Sequence, residues 1–286
     1  KQEEHESLFC HRRKTGTMSQ QIQYDRPVPV AEGIYWVGFY EEATNFHCNP
    51  YIVVAGDQAV VIDSGSRPDF AVVMMKILQA GINPKQISAL IYQHPDPDLC
   101  GSVPNMVDIC ENDNLIILSE ADNNVFINYY LEKEKHRMLR SIHDLNYFYE
   151  FNGRTLQFIK TPYAHSPGSF VTYDQRTKTL FSSDIFGSYS RFWDLFLKFD
   201  DACFECPGYE KCPQGKDYCA LMDILLFHQR IMPSGKALKY AMNVIKKFDI
   251  DVIAPQHGSV LNNRKDIYAL IEKLASLERV GIDIYP

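Results

Sequence analysis

The stretch "YQHPDPDLCG", residues 92–101, places one histidine and two aspartates at every second position: His94, Asp96 and Asp98. It comes directly after the apolar run "ISALI" (87–91), which reads as a buried strand. In an extended segment the side chains at i, i+2 and i+4 point the same way. The three polar groups are therefore expected to converge beyond a strand end. Pro95 and Pro97 fix φ and disfavour a helix that would scatter them. Proline and aspartate are also frequent in polar surface turns, so this motif alone leaves a turn and a ligating cluster both open.

Three later segments carry the same residue types to the same kind of place. His165 comes after a predicted strand in "TPYAHSPGS", Asp184 ends "LFSSD", and His257 ends "IAPQHG". Each candidate ligand thus sits at a strand terminus, where loops collect on one edge of a sheet.

The elements around these points come in two successive strand–helix halves. "GIYWVGFY", "NPYIVVAG" and "QAVVIDSG" read as strands, the last two forming a hairpin through "GDQ". "DFAVVMMKILQAGI" has helical spacing and stops at Gly81. A short helix over 101–113, a strand in "NLIILSE" and a helix in "ADNNVFINYYLEKEKH" come next. "YFYEFNGRTLQFIKTP" predicts a hairpin about Asn152-Gly153, and "GSFVTYDQRTKTLFSSD" another near "DQRT". Residues 187–220 read as irregular. Helices are expected at about 219–232, 235–248 and 263–278, with a strand in "DVIAPQHG". The pattern fits α/β architecture, two mixed sheets packed together with helices outside. Residues 1–17 read as a flexible leader or cloning remnant, and residues 18–286 as a single domain.

The chain has 286 residues, 45% of them apolar and 23% charged, and a formal charge of −7. That balance argues against nucleic acid as the main partner, because a phosphate-binding surface needs a basic field. No apolar run approaches the roughly 20 residues of a membrane span. Eight cysteines without an apolar signal segment point to a reducing cytoplasm, where thiols and metal ligation outrank disulfides.

The order HxDxD, His, Asp, His at these intervals resembles the metallo-β-lactamase superfamily. "VVIDSG" around Asp63 is similar to that superfamily's early strand motif, and the match runs from about residue 33 to 280. An αββα sandwich is the fold this implies. Within the superfamily the likeness is to the diiron domain of flavodiiron proteins, whose first motif is HxExDH where the hydrolases have HxHxDH. The acid at position 96 decides between them, since oxygen-rich ligation suits iron or manganese and extra imidazole favours zinc. Carried over residue by residue, the resemblance implies His94, Asp96 and His165 on one iron, Asp98 and His257 on the other, and Asp184 bridging. Two departures stand out. Asp96 is one methylene shorter than the family's glutamate, and Leu99 occupies the place of a histidine on the second iron, leaving that ion one ligand short.

An under-ligated iron accepts an exogenous molecule, and the flavin-free oxygen-binding diiron proteins, which signal oxygen to chemotaxis receptors, are the relatives implied. The sequence ends at "GIDIYP" without a flavodoxin-like stretch, so no FMN is expected in this chain. The function expected is dioxygen binding as a cytoplasmic sensor. The alternatives are an oxygen or nitric oxide reductase fed by a separate flavoprotein redox partner, and a dinuclear hydrolase. A homodimer is implied by the family alone. His47, Tyr163 and Tyr189 are candidates for supporting hydrogen bonds near the site. His5, His11, His136, His143 and His228 read as surface or structural.

Between Asp184 and His257 lies an insertion, "CFECPGYEKCPQGKDYC", with Cys203, Cys206, Cys212 and Cys219. A CxxC pair with two further thiols fits a zinc site or an iron–sulfur cluster. Redox thiols or uncoordinated cysteines fit as well.

Overall fold

A computed structural model of the chain describes residues 22–41, 46–190, 192–206, 212 and 218–286. The expected leader, with His5 and His11, lies outside the described residues, as does most of the loop between Cys206 and Cys219. The first half runs β1 (Val28–Ala31), β2 (Ile34–Trp36), β3 (Phe39–Glu41), β4 (Phe46–Cys48), β5 (Tyr51–Ala55), β6 (Gln58–Ile62), α1 (Phe70–Gln79), β7 (Ile87–Ile91), α2 (Pro97–Cys100), α3 (Val103–Cys110), β8 (Ile116–Ser119), α4 (Ala121–Ile127) and β9 (Leu139–Ser141). The second half runs β10 (Phe148–Phe151), β11 (Arg154–Lys160), β12 (Phe170–Asp174), β13 (Thr179–Phe181), β14 (Phe196–Leu197), α5 (Asp201–Glu205), α6 (Ala220–Ile231), α7 (Gly235–Ile245), β15 (Val252–Ala254), β16 (Val260–Leu261) and α8 (Arg264–Ala275).

These strands build two seven-stranded sheets, ordered β1-β2-β5-β6-β7-β8-β9 and β10-β11-β12-β13-β15-β16-β14, plus the small β3-β4 hairpin. Between the sheets lies a shared core in which Trp36, Tyr51, Val60 and Ile91 of the first meet Phe158, Phe170, Phe181 and Ala254 of the second. The outer face of the first sheet buries Val61, Leu90 and Ile117 against Val73, Ile77 and Met106 of α1 and α3. That of the second buries Val171, Leu180 and Ile253 against α6, α7 and α8. Strands β6, β7 and β8 run parallel and are covered on both faces, which is why "QAVVI" and "ISALI" read as near-continuous apolar runs. The result is the αββα sandwich expected.

Local chemistry sets the turns. β10 and β11 pair through a two-residue turn in which Asn152 and Gly153 both take positive φ, 43° and 75°, the type I′ geometry that Asn-Gly favours. Asn152 Nδ2 then donates to Ala55 O at 2.9 Å and Asp57 Oδ1 at 2.9 Å, joining the hairpin tips of the two sheets. A stronger tie is buried below. Arg154 on β11 forms a two-pronged ion pair with Asp174 on β12, 2.8 Å at each oxygen. Its Nη1 also donates across the interface to Glu32 O and Val54 O, both at 3.1 Å.

Residues 187–220, expected to be irregular, hold β14 and α5, and two further departures bear more on the site. The stretch 121–136 is not one helix: α4 ends at Ile127, and Leu131 turns extended (φ −110°, ψ 145°) between two 3₁₀ segments. Leu131 packs into the core beside α3, whereas the charged run after it has no apolar face to bury. The second departure concerns residues 94–98. Asp96 is extended (φ −68°, ψ 148°) but stands at the N-cap position of α2, without a side-chain capping bond, and Pro97 is in the helix's first turn. Proline is tolerated there because that N–H needs no partner. Asp98 therefore points along a helical turn and parts from His94 and Asp96.

Candidate metal centre

His94, Asp96, Asp98, His165, Asp184 and His257 all stand beyond the carboxyl end of a strand, the edge where ligands bind in open α/β sheets. β11, β13 and β15 run in one direction, since β12 is antiparallel to β11 and β13 while β13 and β15 are parallel. Their ends carry His165, Asp184 and His257 to one edge. β7 delivers the 92–98 loop to the same edge: Phe170 N donates to Gln93 O at 3.2 Å, and His94 Nδ1 lies 2.8 Å from Ser183 Oγ.

Two groups of ligand atoms form there. His94, Asp96 and His165 make one, and Cys48, Asp98 and His257 the other, the atoms of each within 4.8 Å of one another. In the first, His165 Nε2 is 3.3 Å and His94 Nε2 3.7 Å from Asp96 Oδ2. In the second, His257 Nε2 is 3.1 Å from Asp98 Oδ2. Asp184 lies between. Its Oδ1 is 3.8 Å from His94 Nε2 and 3.7 Å from His257 Nε2, and its Oδ2 is 3.1 Å from His165 Nε2. All six residues singled out in the sequence meet at this point. Cys48, on β4, is the addition. Leu99 is fully buried and offers no ligating atom.

Two of the rings are aimed from behind. Ser183 holds Nδ1 of His94, and the carbonyl of His47 accepts from Nδ1 of His257 at 2.7 Å, so both Nε2 atoms face the centre. It is thus the backbone of His47 that serves the site. Its ring stacks on Tyr40 and Trp193, each at 4.6 Å, and its Nε2 contacts Ser190 O. Tyr189 sets its ring edge-on to His257 at 5.5 Å, while Tyr163 is 56% exposed. Asp63 is buried under the site and accepts from Gln93 N and Nε2, at 3.0 and 2.8 Å.

The charges are tightly coupled. Burial pushes the Asp184 carboxyl up, but His94, His165 and His257 outweigh it and hold the group below the usual carboxylate range. Burial likewise opposes a charge on His165, yet Asp184 and Asp96 raise it to about 10. Asp63, desolvated and close to Asp184 and Asp98, is pushed up to about 7. A donor set of this kind fits a metal pair on a further observation. His94 Nε2 and Asp184 Oδ1 are buried, face each other and have no hydrogen-bond partner, an arrangement costly to maintain without a cation to satisfy both. Beside the first group a cavity of about 470 Å³ reaches Asp96, lined by Asn123, Phe126, Tyr130 and Pro167 among others.

Of the histidines read as surface or structural, His143 is exposed and His136 bonds Leu131 O. His228 is fully buried on α6 and supports the site from outside. Its Nε2 accepts from Phe186 N at 2.9 Å and its Nδ1 contacts Ile224 O at 2.7 Å, anchoring the turn that carries Asp184. Burial pushes its pKa down to about 4. Between the unfolded value near 6.5 and about 4, the unfolded chain binds the extra proton, so stability falls as pH falls. Metal-free protein is expected to lose about 2 kcal/mol more between pH 7 and 5 than its His228→Gln variant. Urea titrations at both pH values measure this, and equal losses would refute it.

Among the described residues, the four loop cysteines do not form a group as tight as the two above. Cys203 and Cys219 pack against the α6–α8 core, and the thiols of Cys212 and Cys219 are near enough to Cys203 to act on its charge.

The αββα layers and a strand-edge cluster of imidazoles and carboxylates define a metallo-β-lactamase-like domain. The profile described as "ODP family beta lactamase" matches residues 46–258, and the chain belongs to that family. An uncharacterized protein of Methanocaldococcus jannaschii is 29% identical over 85% of this chain and 58% of its own length. A nitric oxide reductase of Moorella thermoacetica is 25% identical over 87% and 61%. The chain thus spans about three fifths of the length of these two curated relatives. Among solved structures, the chemotaxis sensor ODP in a peroxy diiron form superposes with a TM-score of 0.69 at 22% identity, covering 90% of this chain and 97% of that one. Rubredoxin oxygen:oxidoreductase from Desulfovibrio gigas gives 0.72 at 17%, covering 87% and 61%. No helix among the described residues is long and apolar enough to cross a membrane.

Proposed function

We propose that this chain holds two iron ions at the strand-edge cluster and binds dioxygen as a sensor. The observation that carries the reading is the placement of Asp184 within 3.1–3.8 Å of imidazoles from both ligand groups, the position a bridging carboxylate needs. His94, Asp96 and His165 would hold one ion, Asp98 and His257 the other. Iron would supply the redox capacity to bind oxygen. The chain does the rest. It aims Nε2 of His94 and His257 through Ser183 and the His47 carbonyl, and it shields one side of the centre from water by burying His94, Asp184 and His257. A small neutral molecule would reach the site past Asp96, whose side chain is 42% exposed and which lines the cavity. A partner, a chemotaxis receptor by analogy with the sensor ODP, would read the change.

The Moorella relative favours a second reading, reduction of oxygen or nitric oxide with electrons from a separate flavoprotein. Anaerobic reconstitution with ferrous iron, then optical spectra during oxygen addition, decides between them. The sensor predicts a long-lived visible absorption band and little oxygen consumption. Steady consumption with a reductant and flavoprotein supports the reductase, and a silent spectrum refutes both.

A further inference from the structure

Leu99 leaves the second ion short of a protein ligand, and the fold brings an atom of different chemistry to that side. Cys48 ends β4, is fully buried, and its Sγ lies within 4.8 Å of ligand atoms of Asp98 and His257. The thiol also hydrogen-bonds the His257 ring. Its position is not left to a free loop end. His47 O accepts from His257 Nδ1 at 2.7 Å, Asn49 N donates to Gln256 O at 2.9 Å, and Asn49 Nδ2 donates to Pro255 O and Gly258 O at 3.0 and 2.9 Å. Residues 47–49 are thus laced to 255–258, and Cys48 cannot drift from His257 without breaking these bonds. Asp184 Oδ1, buried and without a hydrogen-bond partner, faces the same side 3.7 Å from His257 Nε2.

We infer that Cys48 is a thiolate ligand of the second metal ion, completing the set that Leu99 interrupts. The inference rests on the dinuclear reading above. Charge supports it: two divalent ions carry four positive charges, Asp96, Asp98 and Asp184 return three, and a thiolate returns the fourth. Loading exchanges the S–H bond for a sulfur–metal bond, releases the proton to solvent and moves no electron. A soft sulfur on one side and oxygen-rich ligation on the other make the two positions unequal, and the Cys48 side more accepting of zinc or cobalt. The competing reading is a buried cysteine acting as a small apolar filler.

Cobalt(II) loading of the full chain separates these. Wild type, Cys48→Ser, Cys48→Ala and a variant with Cys203, Cys206, Cys212 and Cys219 all changed to serine are compared for metal content, cobalt affinity and thiolate-to-cobalt charge transfer in the near ultraviolet. The expected result is a charge-transfer band in wild type and in the four-serine variant that disappears in both Cys48 variants. The weaker cobalt ion should also lose more than the roughly 10–100-fold typical of an outer-partner mutation. Circular dichroism checks that each variant is folded, and Cys48→Ser keeps nearly the same volume. If wild type takes up two ions but Cys48→Ser and Cys48→Ala match it in band and affinity, the ligand role is overturned while the dinuclear reading stands. If wild type takes up no cobalt at this centre, both fall.

Discussion

Asp184→Asn is expected to take reconstituted protein from two metal ions per chain to nearly none. The carboxylate sits among His94, His165 and His257, within reach of both ligand groups. Two cations held by neighbouring ligand groups would repel where water is scarce, and a carboxylate charge between the groups would offset that repulsion. Asparagine keeps the shape but removes the charge and one of the two oxygens that would coordinate. The pair should bind at least about a thousandfold more weakly, roughly 4 kcal/mol. Asp96→Asn and Asp98→Asn should each release mainly the ion of their own group, which makes the loss graded. Elemental analysis after anaerobic loading, with circular dichroism for folding, reads this directly. Full metal content in folded Asp184→Asn protein would remove the bridging role.

Arg154→Met is expected to destabilise the fold by about 3–5 kcal/mol. The guanidinium is 1% exposed and Asp174 is fully buried, so methionine strands a carboxylate that keeps its contacts with Thr177 but loses its countercharge. It also removes the donors that reach Glu32 O and Val54 O on the other sheet. The double variant Arg154→Met, Asp174→Leu should recover most of the loss, because a buried pair replaced by apolar residues is often neutral. Burial pushes the Asp174 carboxyl up, but Arg154 and Thr177 hold it below its usual value. The unfolded chain then binds more protons in acid, so this contribution is present above about pH 4 and lost as pH falls. Urea midpoints at constant m-value test it. A single-variant cost below about 1 kcal/mol would mean that Arg154 neither anchors Asp174 nor ties the sheets.

Alternating and continuous apolar runs make the hairpins and buried strands legible in the chain, because periodicity reflects which faces are covered. Asn152-Gly153 specifies its own turn. The six candidate ligands are legible too, since metal chemistry restricts residue type and each stands at a strand end. Residues 94–98 are harder to read. Their i, i+2, i+4 spacing suggests one shared face, whereas Pro97 opens a helix that sends Asp98 to the other group. A helix start is settled by the hydrogen bonds of the turn after it, and spacing does not encode those.

Cys48, Arg154 and His228 belong to another class. "FHCNPY" contains no motif, and a lone cysteine before a strand signals nothing. The bonds from residues 47–49 to 255–258, some two hundred positions away in the chain, bring its sulfur to His257. In sequence His228 is like any helical histidine, and its ring turns out to hold the Asp184 turn. Layers, turns and the chemistry of the ligands were therefore written in the order of residues, since each depends on local periodicity or on residue type. Which candidate ligands fall into one group, and that Cys48 joins Asp98 and His257, came from folding in three dimensions, since both rest on contacts between segments that the chain order keeps apart.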